Sequence, residues 1–268
     1  EINLSDADFT NTDMNRIFQS SNTKKVNLSG ANFTNATMKN MFGGNNGITS
    51  IDFTNTITTG VTDMSSMFAG CSSLTSLNLS SFDTSSVTDM GQAFYKCKAI
   101  RSINLSSFDV SKVTNMSYMF EGCNNLAELD LSSFHTSPVD NLQGMFQNCY
   151  GLKKVDISNF KTPKLNRMDY MFENCYSILS IDLTGFTSTN LTTLESAFAC
   201  CYSVKSIKLS QLNTSKIVSL YRLFYCCYNL ESLDLTNFTK TSLNASNGLK
   251  NTFTSCTSLK NINLSGFD

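Results

Sequence analysis

The side chains in this sequence with the widest chemical repertoire are its ten cysteines and its single histidine, His135. Cys71, Cys97, Cys123, Cys149, Cys175, Cys201 and Cys227 follow one another at intervals of 26, and Cys256 follows after 29. A thiol column admits three chemistries. Disulfides between neighbouring repeats need an oxidising location and Cα separations of about 4.4–6.8 Å. On the wider side of a curved solenoid neighbours stand further apart, which weighs against them. Zinc ligation needs two or more thiolates converging on one ion, usually in C-x-x-C spacing, and no such spacing occurs. The third reading, a small buried apolar residue filling a corner of each repeat, fits the column best. Cys200 and Cys226 each directly precede a column Cys, so they point elsewhere. Facing one another in adjacent repeats, they are the candidates for one disulfide.

Catalysis has little support. His135 stands where other repeats carry Asp83, Asp109 and Lys161, so it reads as an exposed variable residue. No G-x-S-x-G nucleophile motif or phosphate loop is present. No catalytic residue, metal or cofactor is assigned, and a non-enzymatic protein is expected. The chain has 268 residues, 41% of them hydrophobic, which is too apolar for disorder. A net charge of −1 lacks the basic excess that nucleic acid requires. No window approaches the roughly 18 apolar residues of a membrane span, so a segment that does not span a membrane is expected. The start at Glu1, without an initiator Met or an apolar signal segment, suggests a mature form or an excised region. With only 15% charged residues, the surface must be made of Ser, Thr and Asn.

The elements follow from the same period. Within residues 74–99, Leu77 and Leu79 are two apart and share one face of a short strand. Val87, Met90, Phe94 and Cys97 are spaced three, four and three apart, which predicts about three turns of helix. Pro138 suits a first helical position, with Ser137 as its cap, and Gly44, Gly70 and Gly122 suit a left-handed helix end. Each repeat therefore reads strand, turn, helix, turn. Units this small bury their apolar faces only by stacking. The expected fold is an α/β solenoid, a leucine-rich-repeat-like right-handed superhelix of about 26 residues per coil. One continuous parallel sheet would line one face and short helices the other. Residues 1–47 read as divergent N-terminal repeats and a cap, with 4–14 echoed at 28–38 at a spacing of 24 and Asn45 in place of Cys. Residues 48–268 form the repeat solenoid, whose three-residue insertion falls between Leu243 and Leu249 and whose end at Asp268 falls mid-repeat.

The segments L-N-L-S-S-F-D-T-S-S-V-T-D-M (77–90) and V-T-N-M-S-Y-M-F-E-G-C-N-N-L (113–126) resemble the 26-residue repeats of bacterial surface proteins and lipoproteins, related to BspA-like leucine-rich repeats. The resemblance covers about residues 38–268. Phe82 and its equivalents stand where the usual Asn or Cys of a leucine-rich repeat would be, which puts the usual asparagine ladder in doubt. The resemblance implies a secreted or cell-surface bacterial protein without enzymatic activity, whose solenoid mediates adhesion or contacts with protein or glycan ligands, including host-derived ones.

Two outward columns are the candidate binding surfaces. Asn78, Asn104, Asp130, Asp156, Asp182 and Asp234 lie between the inward residues of successive strands, with Lys208 interrupting them. On a leucine-rich-repeat scaffold this is the concave strip, with Lys153, Lys154 and Lys205 near enough to pair the acids. Tyr150, Tyr176, Tyr202 and Tyr228 each follow a column Cys. They read either as an adhesive aromatic stripe or as mutual stacking that lines a lateral groove. The functional expectation is a binding or adhesion module. A rival is a structural spacer or self-assembling element, associating end to end or laterally.

Overall fold

The structure is a computed structural model that describes residues 1–238, 243 and 248–267. Eleven strands are found among the described residues: β1 (Ile2–Asn3), β2 (Lys25–Asn27), β3 (Ser50–Asp52), β4 (Ser76–Asn78), β5 (Ser102–Asn104), β6 (Glu128–Asp130), β7 (Lys154–Asp156), β8 (Ser180–Asp182), β9 (Ser206–Lys208), β10 (Ser232–Asp234) and β11 (Asn261–Asn263). Every pairing is parallel, and in-register partners are one coil apart: Leu77 faces Ile103 and Leu129 faces Val155. The first coils are shorter, since Ile2 pairs with Val26 and Val26 with Ile51. Ser232 pairs with Asn261, so the coil between them is three residues longer. The insertion itself, between Leu243 and Leu249, falls largely outside the described residues.

The expected continuous sheet is instead five short ones, β1-β2-β3, β4-β5, β6-β7, β8-β9 and β10-β11. Across three of the breaks the strands still pack as neighbours, β3 on β4, β5 on β6 and β9 on β10.

The expected helices are absent: no helix occurs among the described residues. The reason lies in where the amides go. In 64–71 the N–H groups of Met64, Ser66, Phe68 and Gly70 donate to the carbonyls of Asp89, Gly91, Ala93 and Tyr95 in the next coil, at 2.6–3.0 Å. Between them, Met67, Ala69 and Cys71 donate three residues back, to Met64, Ser66 and Phe68. A helix would send every amide four residues back. Here alternate amides close tight turns and the others build a wall of coil-to-coil bonds. Two residues per coil take positive φ to make these corners, for example Ser66 (55°) and Gly70 (76°), as the third position of a type II turn requires. Consecutive turns also bring side chains inward every three or four residues, so their hydrophobic period mimics a helix. Pro138 sits in a turn closed by Val139 N–H donating to Thr136 at 3.0 Å, and has no helix to start.

The core is a set of columns along the solenoid axis. Phe68, Phe94, Phe120 and Phe146 are buried and stacked, with ring centroids 5.4–5.9 Å apart. Phe134, Phe160 and Phe186, in the position of the usual Asn, form a second buried stack at 6.0 and 6.4 Å. With the asparagine ladder replaced by rings, the coil-to-coil polar staples come from elsewhere. Thr84 Oγ1 donates to the Asp109 carbonyl at 3.0 Å and accepts from Asp109 N–H at 2.8 Å, and Thr58 makes the same pair of bonds to Asp83. The cysteine column is the other staple. Cys97, Cys123 and Cys149 each donate from Sγ to the carbonyl of Phe68, Phe94 and Phe120 at 3.0–3.2 Å. Cys71 to Cys227 in this column are fully buried, Cys256 partly. Burial pushes the Cys149 thiol up to about 12, which leaves it without thiolate reactivity at neutral pH. Asn45 occupies the column in the coil before Cys71, buried, with Nδ2 donating to Ser21 Oγ at 2.9 Å.

Candidate interaction surfaces

Strands β2 to β10 each have three residues, of which the middle one faces the core. This places the strip residues at the outward C-terminal end of their strands. Asn78, Asn104, Asp130 and Asp234 are exposed, whereas Asp156 and Asp182 are half-buried. In all six, Oδ1 accepts a bond from the backbone N–H two residues on, as in Asp130 from Ser132 at 2.9 Å and Asp182 from Thr184 at 3.0 Å. The column thus ends each strand with an Asx turn, which Asn and Asp serve equally well. Hydrogen bonds from Ser132 and Ser158 hold the Asp130 and Asp156 carboxyls below the usual carboxylate range, with Lys154 adding to the effect. Lys154 stands opposite Glu128 in the β6–β7 pair. The ion pair that forms on the strip is Lys208 Nζ to Asp182 Oδ2 at 2.8 Å; among the described residues Lys153, Lys154 and Lys205 make none. Glu128, Asp130, Lys154 and Asp156 line one shallow recess together with Ser102, Ile103 and Leu129.

The four tyrosines form a stack. Tyr150 and Tyr176 lie 4.8 Å apart at 11°, Tyr176 and Tyr202 4.5 Å apart at 5°, and Tyr202 and Tyr228 5.0 Å apart at 33°. The outer two are 39% and 40% exposed, and the inner two are half-buried. Partial burial pushes the Tyr176 and Tyr202 hydroxyls up, so they stay protonated donors at neutral pH. Mutual stacking is the arrangement observed, and it leaves the two outer tyrosines exposed at the surface.

Cys200 and Cys226 occupy one corner column in adjacent coils, with φ of 59° and 57°. All ten cysteines are free thiols in the structure. His135 is exposed on the turn after Phe134. Among the described residues no group of three or more His, Cys, Asp or Glu is placed to hold a metal ion. No helix among them is long and apolar enough to cross a membrane.

A polar cluster on the turn wall was not foreseen from the sequence. Glu121 is buried and accepts from Asn148 Nδ2 at 2.9 Å, and Asn148 Oδ1 accepts in turn from Asn174 at 2.8 Å. Asp169 is buried with Arg167 Nε 3.7 Å from Oδ2, and burial pushes its carboxyl up. Tyr170 donates to Glu195 Oε1 at 2.9 Å. The available signal was a charged residue at 121 and at 169 inside a stretch whose apolar columns are otherwise buried.

Two family profiles match the chain. One, described as Mycoplasma protein of unknown function, DUF285, matches over 12–104, 36–149 and 89–207; the other, BspA type leucine rich repeat region (6 copies), matches over 168–267. No curated protein matches. Among solved structures, the chain is similar to one in the Drosophila Toll–Spatzle complex, at 19% identity and a TM-score of 0.45, covering 93% of this chain and 30% of that one. A leucine-rich repeat protein from Bacteroides ovatus is 16% identical at a TM-score of 0.39, with 92% and 74% covered. A leucine-rich cell surface protein from Faecalibacterium prausnitzii is 15% identical at a TM-score of 0.29, with 92% and 83% covered. The chain spans 30% of the Toll-complex chain and 42% of that in a TLR13–ssRNA13 complex.

Proposed function

This chain belongs to the family described as Mycoplasma protein of unknown function, DUF285, and is built of BspA-type leucine-rich repeats; from that premise we propose that it is a non-enzymatic module that binds a protein partner outside the cell. Residues 48–268 supply the binding solenoid and residues 1–47 its N-terminal cap. The observation that carries the reading is the tyrosine stack. Four stacked rings lose little further conformational freedom on binding, and Tyr offers apolar area with a hydroxyl tip, the combination that concentrates binding energy at interfaces. The acidic strip adds charge complementarity for a basic partner surface, with Asp130, Asp156 and Asp234 as its carboxylates outside any ion pair among the described residues.

The test is binding of the pure chain to immobilised extracellular-matrix proteins and to a glycan array, followed by Tyr176→Ser/Tyr202→Ser and by Asp130→Ala/Asp156→Ala/Asp182→Ala. Protein binding that weakens about tenfold or more in the tyrosine variant, with an unchanged melting temperature, supports the reading. Lost stability with unchanged binding assigns the tyrosines to packing alone. Glycan binding without protein binding overturns the choice of ligand. Long particles in light scattering without ligand would favour a self-assembling spacer.

A further inference from the structure

We propose that Cys200 and Cys226 are a redox-convertible dithiol that closes to a disulfide by exchange with a low-molecular-weight disulfide, stapling two adjacent coils. The two residues share one corner column, which continues Gly44, Gly70, Lys96, Gly122, Asn148 and Asn174 at intervals of 26. Two of its glycines gauge the spacing. A Cβ at Gly70 would stand 3.3 Å from Gly44 Cα, and one at Gly122 would stand 3.5 Å from Lys96 Cα. By the same geometry the Cys226 Cβ is directed back toward Cys200 while the Cys200 Cβ is directed toward Asn174, and successive Cα atoms lie about 4–5 Å apart, which overlaps the Cα range a disulfide spans.

Register is already set by the backbone. Cys200 N–H donates to Tyr225 at 2.6 Å and Cys226 N–H to Thr254 at 2.8 Å, and the two share one backbone conformation. Closure needs the Cys200 side chain to rotate toward the following coil and the two Cβ atoms to approach within about 4.5 Å, with the coil pairing kept.

These thiols also differ from the buried column next to them. Cys201 and Cys227 are fully buried, each with Sγ donating to a Phe carbonyl at 3.1–3.2 Å. Cys200 and Cys226 keep 9% and 7% of their surface and lie against tyrosine hydroxyls, Tyr202 beside Cys200 and Tyr225 and Tyr228 beside Cys226. Arg222 lies beside them, its guanidinium 4.2 Å over the Tyr225 ring. Burial and the neighbouring Cys226 raise the Cys200 thiol above its ordinary value, and the Tyr202 hydroxyl and the Arg222 charge oppose that in part.

The chemistry balances as a two-step exchange. One thiol loses its proton to solvent, and its thiolate attacks a sulfur of RS–SR, forming a mixed disulfide and expelling RS⁻. The second thiol, likewise deprotonated, attacks the protein sulfur of that mixed disulfide and expels the second RS⁻. The thiolates take up the two protons, so dithiol and RS–SR become protein disulfide and two RSH, the small disulfide being the oxidant.

The test is incubation of the full chain with oxidised glutathione, followed by thiol counting in denaturant and non-reducing peptide mapping. The expected result is a fall from ten thiols to eight, a mass loss of about 2 Da, one peptide pair joining Cys200 to Cys226, and a melting temperature raised by roughly 6–12 °C. In Cys200→Ser/Cys226→Ser all eight remaining thiols should persist. Ten thiols in the treated wild type overturn the proposal, as does a stable glutathione adduct without a link. A two-thiol loss that survives in the double variant, as a Cys227–Cys256 link would, also overturns it.

Discussion

Asp169 shows how a single side chain can oppose the fold that holds it. Its buried Oδ1 has no hydrogen-bond partner among the described residues, and Arg167 reaches only Oδ2, at 3.7 Å. Burial raises its carboxyl above the unfolded value of about 3.9. A raised carboxyl binds its proton more tightly in the folded state, so its stabilising contribution is present below the unfolded value and is lost as pH rises through the folded one. Asp169→Asn is therefore expected to stabilise the protein by about 1 kcal/mol at pH 7 and to make no difference near pH 3. Thermal melts of both proteins at the two pH values check this. At this scale the sequence was legible where one residue type filled one column. The Cys and Phe columns announced burial through repetition, whereas Asp169 stands in a column of Ser65, Gly91, Ser117 and Gln143 that has no single character.

At the scale of the element, the repeat's second half is a run of turns whose corners sit at positive φ. Gly144 is one of them, at 58°, and a Cβ there would overlap the Tyr118 ring, which lies across it from the preceding coil. Gly144→Ala is expected to destabilise by about 1–3 kcal/mol, combining left-handed strain with displacement of that ring. The same change at Gly47, where nothing lies within 4 Å of a new Cβ, is expected to be near neutral, and urea midpoints of the two variants separate the cases. The strand half of each repeat was readable from period two alone. The turn half was not, because a side-chain period of three to four is common to helices and to consecutive turns.

At the scale of the whole molecule, each coil bonds only to its neighbours, so stability is a chain of local interfaces. Phe146→Ala removes a ring stacked on both Phe120 and Phe172 and is expected to cost about 3–5 kcal/mol. In native-state hydrogen exchange, protection should fall in the coils carrying Phe120, Phe146 and Phe172 and hold at Phe42 and Phe238. Acid should act on many coils together. Hydrogen bonds from Ser and Thr hold Asp52, Asp83, Asp109, Asp130 and Asp156 below the ordinary carboxylate value. Their contribution is present above the unfolded value and is lost as pH falls through the lowered folded values. Urea midpoints are therefore expected to stay level from pH 7 to about pH 5 and to drop below about pH 4.

By itself the sequence determined the period, the stacking and the inside and outside of the columns filled by one residue type, because burial selects residue type and a 26-residue repetition makes that selection visible. Only the tertiary structure decided where the backbone amides of residues 64–71 and their equivalents would bond. Their acceptors lie 25 residues away in the next coil, brought close by stacking, and no local pattern distinguishes a carbonyl four residues back from one a full coil ahead. The same contact between coils set the spacing of Cys200 and Cys226 and pressed the four tyrosines into one stack. Those are the features on which the proposed chemistry and binding rest.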